Sequence, residues 1–174
     1  KWLSFIGLYP IPRVYGMTAG ELARYLNREH ELGCNLIVVP MTGYGRDLKW
    51  DDLGLEWIPP SPNIPSVASA VTFAATGTLG TLGEFYIGIG TPHAFQLVGA
   101  PWFNAQSSAE ALNAYELPGV KFVPVSVPNA SGGHGRGDIH AVFLQLTEPT
   151  RFLPATTELV LLRHLQALYG DQWR

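Results

Sequence analysis

Arginine and tyrosine side chains follow two short apolar segments near the start of the chain. Tyr15 comes shortly after the first segment, and Tyr44 and Arg46 come after the second. If the segments are neighbouring parallel strands, these side chains lie at the carboxyl edge of the sheet, where ligands of α/β proteins bind. Arginine pairs bidentately with carboxylates, so we expect the three residues to contact an anionic, sugar-like ligand. The alternative is that Arg46 pairs on the surface with an aspartate close behind it in the chain.

Glu84 is the carboxylate best suited to acid–base chemistry. It stands between a stretch of small apolar residues and the apolar run that begins at Phe85. Apolar surroundings raise the pKa of a carboxyl, which can then donate a proton near neutral pH. We therefore predict that Glu84 is catalytic, and the alternative is a carboxylate at the end of a helix or strand that points into water. Glu21 is different, because it forms a capping-box pattern with Thr18 that already accounts for it.

Two further residues are candidates for contacts to a sugar. Asn63 lies in the proline-rich stretch 59–65, which holds it in a rigid turn as either an Asx-turn residue or an exposed hydrogen-bonding group. Trp102 flanks another loop that contains proline. Its aromatic face could stack on a sugar, although a tryptophan in a loop can equally fill a core.

The elements that must position these residues begin with a strand–helix–strand unit. Residues 3–8 and 35–39 have the pattern of short buried strands, and residues 19–30 have apolar positions on one helical face. This order predicts two parallel strands with a right-handed crossover. Residues 65–83 then favour a buried helix, because they are small and apolar.

The second half of the chain has a different pattern. Strands are predicted at 95–98, 120–127 and 139–147, and the last two are joined by a glycine-rich loop, which favours antiparallel pairing. A second capping-box pattern, from Ser107 to Glu110, predicts a helix to about residue 115, and residues 156–169 predict an amphipathic helix. We therefore predict an α/β class: a parallel-sheet domain over residues 1–92 and a smaller α+β domain over residues 93–174.

Composition excludes several classes of protein. Charged residues are 14% of the chain, against roughly 25% in an average protein, and the net charge is −3. Nucleic-acid binding is not expected from a chain that is not basic. One cysteine and five unclustered histidines predict neither a disulfide framework nor a metal site, and the missing phosphate-binding loop predicts no nucleotide cofactor. No apolar run approaches the roughly 20 residues of a membrane span.

Several motifs, taken in order, resemble one known family. They are Tyr15-Gly16-Met17-Thr18 with Gly20-Glu21-Leu22-Ala23, Met41-x-Gly43-Tyr44-x-Arg46, Trp57-Ile58-x-Pro60-Ser61-Pro62-Asn63-Ile64-Pro65, and Phe95-Gln96-Leu97-Val98-Gly99-Ala100-Pro101-Trp102. These motifs resemble the NamZ-like exo-β-N-acetylmuramidases, long described as a domain of unknown function. The resemblance covers nearly the whole chain.

The resemblance implies a glycoside hydrolase that removes terminal N-acetylmuramic acid from the non-reducing ends of peptidoglycan fragments. It implies a Rossmann-like domain followed by a smaller α+β domain, no cofactor, and a secreted or periplasmic location. Arg46 would bind the lactyl carboxylate, and Tyr44, Asn63 and Trp102 would shape the sugar pocket. Family chains are about twice as long, so we expect this sequence to cover the middle and C-terminal part of such a protein.

One segment departs from the family pattern. Many members carry a Ser-Glu-Gly-Arg-Gly-Thr stretch where this chain reads Tyr86-Ile87-Gly88-Ile89-Gly90-Thr91, without the Glu and the Arg. Glu84 stands near this place and is the carboxylate that we expect to replace the family's acidic residue. The alternative function is a non-catalytic module that binds cell-wall glycan or has a structural role.

Overall fold

The computed structural model describes residues 8–83, 85–132 and 135–172 and divides the chain into two compact units. The first unit is Lys1–Leu55 and the second is Glu56–Arg174. Most of the strand predicted at 3–8, together with Glu84, lies outside the described residues. Across the described ranges, no helix has the length and apolar character needed to cross a bilayer.

The first unit contains one α-helix, α1 (Ala19–Glu29), and a short 3-10 helix (Trp50–Leu53). The predicted capping box at the start of α1 is confirmed. The Glu21 backbone N–H donates to Thr18 Oγ1 at 3.2 Å, and the Thr18 N–H donates to Glu21 Oε2 at 2.8 Å. These two bonds satisfy backbone donors at the N-terminus that have no partner within the helix, and so fix where α1 begins.

Residues 35–39 are not in a strand in the described part of the first unit, contrary to the sequence prediction. Ile37 and Val39 are 82% and 84% exposed. A strand is defined by its hydrogen-bonded neighbour, and residues 3–7 of the predicted neighbour are outside the described ranges. The observed class is therefore mixed α and β, and the only sheet among the described residues is antiparallel.

The second unit packs three helices with a three-stranded antiparallel sheet of order β1-β3-β2. The helices are α2 (Val67–Thr81), α3 (Ala105–Asn113) and α4 (Pro154–Tyr169), and a 3-10 turn (Gly170–Gln172) follows α4. The strands are β1 (Leu97–Ala100), β2 (Val120–Gly132) and β3 (Gly135–Leu146). The predicted antiparallel pairing of the last two strands is confirmed, and their hairpin extends into the glycine-rich segment that was expected to be a loop.

One core joins the elements of the second unit. Leu79 of α2, Val142 of β3 and Leu161 and Leu165 of α4 are fully buried together. The boundary predicted at residues 92 and 93 therefore lies inside this unit. The sequence changes pattern there, but α2 shares its buried face with α4 and the sheet.

Helix α3 begins one turn earlier than its sequence pattern indicates. Asn104 is the N-cap, and its side-chain oxygen accepts the Ser107 N–H at 3.1 Å. Ser107 is therefore inside the first turn, and Glu110 accepts a hydrogen bond from Gln106 instead of completing a capping box. Asparagine and serine are equally good N-cap residues. Asn104 comes earlier in the chain and caps the helix, so α3 begins at Ala105.

The two outer strands of the sheet are each bonded on their free side. Tyr86 pairs with Gly99 of β1 through two backbone hydrogen bonds of 2.8 and 3.1 Å. The Asn113 side chain donates to the Phe122 carbonyl at 2.8 Å and accepts the Phe122 N–H at 2.9 Å. The first contact fixes the segment around Tyr86 against β1, and the second fixes the end of α3 against β2.

Candidate functional site

Arg46 joins the two loops that were expected to meet in the first unit. One Nη donates to the Gly16 carbonyl at 2.8 Å, and the other is bonded to a Glu21 carboxylate oxygen. The Glu21 carboxylate is the main cause that raises the pKa of Arg46, and Tyr44 adds a smaller contribution in the same direction. Tyr15 precedes Gly16 in the chain, and both tyrosines are exposed, at 40% and 48% for Tyr15 and Tyr44. The structure therefore brings together three of the predicted site residues, and we call this group the Arg46 rim (Tyr15, Gly16, Glu21, Tyr44 and Arg46).

The Arg46 rim is built around an ion pair whose carboxylate stays charged. Hydrogen bonds from the Thr18 backbone and from Arg46 lower the pKa of Glu21, and the Glu21 carboxylate raises the pKa of Arg46. The Arg46 side chain is still 58% exposed, and only two of its five donors are used in these bonds. It is thus a fixed cation with donors left for a ligand, although its charge is largely balanced by Glu21.

Glu21 is a part of this group that the sequence analysis missed. The capping box uses one carboxylate oxygen and leaves the other for Arg46, 25 residues away. The alternative considered for Arg46 was a nearby aspartate, but Asp52 instead accepts the Lys49 backbone N–H at 2.9 Å at the start of the 3-10 helix. The one signal in the sequence was that a capping box uses a single oxygen of the Glu21 carboxylate, which leaves the other oxygen able to pair with an arginine.

Asn63 is an exposed residue in a turn of the second unit. Ser61 forms this turn, since its Oγ accepts the Asn63 N–H at 3.2 Å and its carbonyl accepts the Ile64 N–H at 2.9 Å. The indole of Trp57 donates to the Ile64 carbonyl at 3.3 Å and holds the segment in place. The turn is therefore led by serine and not by Asn63, whose side chain is at the surface.

Trp102 lies in the second unit, two residues after the end of β1, and is 37% exposed. Two aromatic rings support it from within: Phe85 at a centroid distance of 5.8 Å and Tyr169 at 5.1 Å. The Tyr169 hydroxyl in turn accepts the Asn104 N–H at 3.1 Å. The sequence allowed Trp102 either to fill a core or to present its ring to a ligand. In the structure one part of the side chain packs on Phe85 and Tyr169, and the other part faces solvent.

A concave surface of about 610 Å³ opens beside Trp102. We call it the Trp102 ledge and define it by the residues that line it, 101–106, 124–126 and 140. Asn63 is not among them. Phe85, which supports the tryptophan ring, follows Glu84 in the chain, and Glu84 itself lies outside the described residues, so its predicted catalytic role stays a prediction.

Two family models match the chain. The model for the N-terminal part of the exo-β-N-acetylmuramidase NamZ matches residues 1–68, and the model for its C-terminal part matches residues 71–174. Together they leave only residues 69 and 70 between them.

Two relatives are similar over almost the whole chain. The peptidoglycan β-N-acetylmuramidase NamZ of Bacillus subtilis (strain 168) is 37% identical over 174 residues, which are 99% of this chain and 42% of that protein. The crystal structure of a DUF1343 family protein from Bacteroides fragilis aligns with a TM-score of 0.88 at 35% identity, over 98% of this chain and 45% of that one. The chain therefore spans less than half the length of each relative.

Proposed function

This chain belongs to the NamZ family of exo-β-N-acetylmuramidases, and we propose that it is part of a glycoside hydrolase that acts on peptidoglycan fragments. The proposed reaction removes N-acetylmuramic acid from the non-reducing end of the glycan. The relative from Bacillus subtilis is named for activity on peptidoglycan, and it matches this chain over 174 residues. The matches to both family models support the same reaction class.

The observation that carries this proposal is the exposed, fixed guanidinium of the Arg46 rim. N-acetylmuramic acid differs from its neutral counterpart, N-acetylglucosamine, by a lactyl carboxylate. Arg46 has free donors for that carboxylate, and Gly16 and Glu21 hold it in one orientation. A donor that is already ordered loses less entropy when the ligand binds. Tyr15 and Tyr44 are the neighbouring groups proposed to contact the sugar. In the second unit, considered by itself, Asn63 and Trp102 are the residues proposed to contact a sugar.

Glycoside hydrolysis also needs a proton donor for the leaving oxygen, usually with a second carboxylate. We assign the donor to Glu84, because it stands between a stretch of small apolar residues and the apolar run that begins at Phe85. Glu21 is a poor candidate for this role, because its lowered pKa keeps it ionised. Its proposed role is to orient Arg46.

The finer architecture of the first unit is part of the same proposal. We place residues 35–39 in a Rossmann-like parallel sheet, because an uninterrupted apolar run is typical of a strand covered on both faces.

A second candidate function is a glycan-binding module without catalysis. The exposed Trp102 favours it, because an aromatic surface can hold a sugar with no catalytic group nearby. The two functions differ in whether a product is formed.

Release of an aryl group from a chromogenic β-N-acetylmuramide tests the proposal, with the matching β-N-acetylglucosaminide as control. The assay is run on this chain and on the Bacillus subtilis relative as a positive control. We expect release from the muramide and little from the glucosaminide. Binding of the muramide without release would favour the module, and release from both substrates at equal rates would contradict the role of Arg46.

The charge balance of the Arg46 rim leads to a separate prediction. Glu21→Gln keeps the capping box, since glutamine can replace glutamate there. The single amide oxygen is then used by the Thr18 N–H, and the variant loses the carboxylate oxygen that holds Arg46. We expect N-acetylmuramic acid to bind about tenfold more weakly to this variant, as measured by calorimetry. The affinity for N-acetylglucosamine should stay the same.

Glu29→Gln is the matched control for Glu21→Gln. Glu29 is at the other end of α1 and pairs with Arg28 at 2.9 Å, so its loss removes the same charge from the same helix. Equal losses in the two variants would mean that the bond between Glu21 and Arg46 does not control binding.

A further inference from the structure

One ionisable side chain of the second unit is buried and takes no part in the proposed chemistry. His164 of α4 is 6% exposed, and its Nε2 has no hydrogen-bond partner among the described residues. A buried polar atom without a partner costs free energy, so its presence in a core calls for an explanation. We propose that His164 is a pH-sensitive latch, which holds α4 in the core of the second unit while it is neutral and releases α4 when it is protonated. This inference does not depend on the proposed glycosidase activity.

The buried face of α4 is apolar on either side of His164. Leu161 lies one turn before it and Leu165 directly after it in the chain, and both are 0% exposed. These leucines belong to the main core, in which α4 packs against α2. A neutral imidazole can occupy such a place, whereas an imidazolium would lose its hydration there without gaining a partner of opposite charge.

Few ionisable groups belong to the elements around His164. Helix α2 has none between its first and last residues. Those of α3, α4, the 3-10 turn after α4 and the sheet face that packs on the helices are Glu110, Glu158, Arg163, Tyr169, Asp171 and His140. Of these six, only Tyr169 is buried, and its hydroxyl already accepts the Asn104 N–H. None of the three carboxylates is therefore buried where it could balance a charge on His164.

Protonation of His164 therefore opposes folding. Burial lowers the pKa of this imidazole below its ordinary value of 6.5. As the pH falls through 6.5, the unfolded chain takes up a proton that the folded chain excludes, so the free energy of unfolding falls until the lower pKa of the folded state is reached. Above that window His164 is neutral in both states and contributes nothing to the pH dependence of stability.

Helix α4 connects His164 to the support of Trp102. Tyr169 ends the same helix, and the centroid of its ring lies 5.1 Å from that of Trp102. The Tyr169 hydroxyl accepts the Asn104 N–H at 3.1 Å, so it also holds the residue that caps α3. Release of α4 in acid should therefore free the Trp102 ring from one of its two supporting rings, which makes the order of Trp102 depend on pH.

The test is urea unfolding of the chain as a function of pH. Between about pH 7.5 and about pH 5, we expect the unfolding equilibrium constant to rise about tenfold more for the unsubstituted chain than for His164→Gln or His164→Leu. Neither replacement takes up a proton, so a change in packing alone would shift stability equally at both pH values. His140→Gln is the matched control, because His140 is an exposed histidine of the same unit and should leave the pH dependence unchanged.

Hydrogen exchange of the backbone amides, expressed as protection factors, then locates the change. We expect α4 to lose protection in acid in the unsubstituted chain and to keep it in both His164 variants. Equal pH dependence in all chains, or the same flattening in His140→Gln, would overturn the latch. A loss of protection spread evenly over the second unit would overturn it as well, because α4 would then not be the part released. These outcomes stand whether or not the muramide assay detects a product.

Discussion

The variant Glu84→Gln is expected to lower the rate of muramic acid release by about two to four orders of magnitude, the usual contribution of a general acid. Glutamine has nearly the same shape as glutamate but cannot donate a carboxyl proton to the leaving oxygen. The residues that follow it are buried, with Phe85, Tyr86 and Ile87 at 0%, 2% and 7% exposure.

The measurement is the initial rate with the chromogenic muramide, made together with a thermal unfolding curve. Stability should change little, because the substitution is nearly isosteric. Glu148→Gln provides the control, since Glu148 is an exposed carboxylate that pairs with Arg151 at 3.0 Å on the surface. A rate close to that of the unsubstituted protein would remove Glu84 from the proposed mechanism.

The variant Gly99→Ala is expected to lower the free energy of unfolding by about 3 kcal/mol or more, the upper range for overpacked sites. A Cβ at this position would lie 2.5 Å from Ala141 Cβ and still closer to the His140 carbonyl oxygen. Those atoms belong to the central strand, which has strands on both sides and little room to move. The same glycine bonds Tyr86, so the segment just after Glu84 should shift as well.

Urea unfolding measures this effect, with Gly170→Ala as the control. A Cβ on Gly170 meets nothing within 4 Å, so that variant should stay within about 0.5 kcal/mol of the unsubstituted chain. A similarly small effect of Gly99→Ala would mean that β1 and β3 can separate to admit a methyl group, and that the sheet does not fix the Tyr86 segment.

Local patterns predicted much of the fold. The Thr18–Glu21 capping box is confirmed, and so are the antiparallel hairpin of β2 and β3 and the helix α4, because each depends on residues close together in the chain. The start of α3 was missed because Asn104 and Ser107 are both good N-caps, and the choice between them depends on which side chain reaches the backbone. The parallel pairing of residues 35–39 needs a distant strand, which periodicity alone does not supply.

The candidate site was harder to predict, because its contacts join residues that are far apart in the chain. The types and spacing of Tyr44 and Arg46 indicated a ligand-facing loop, but the partnership with Glu21 spans 25 residues and left no local pattern. In the same way, Trp102 could be identified as an aromatic candidate, whereas Ser126 and His140 could not. They join the ledge only through the register of β2 with β3.

The bonds on the outer strands also protect the protein against aggregation. An outer strand with free N–H and C=O groups can recruit a strand from another molecule and start a growing sheet. At Gly99 the backbone of Tyr86 occupies those groups, and at Phe122 the carboxamide of Asn113 does so by imitating a neighbouring backbone. The small sheet of the second unit is therefore blocked at one position on each side, and intermolecular strand addition there would first have to displace a pair of existing hydrogen bonds.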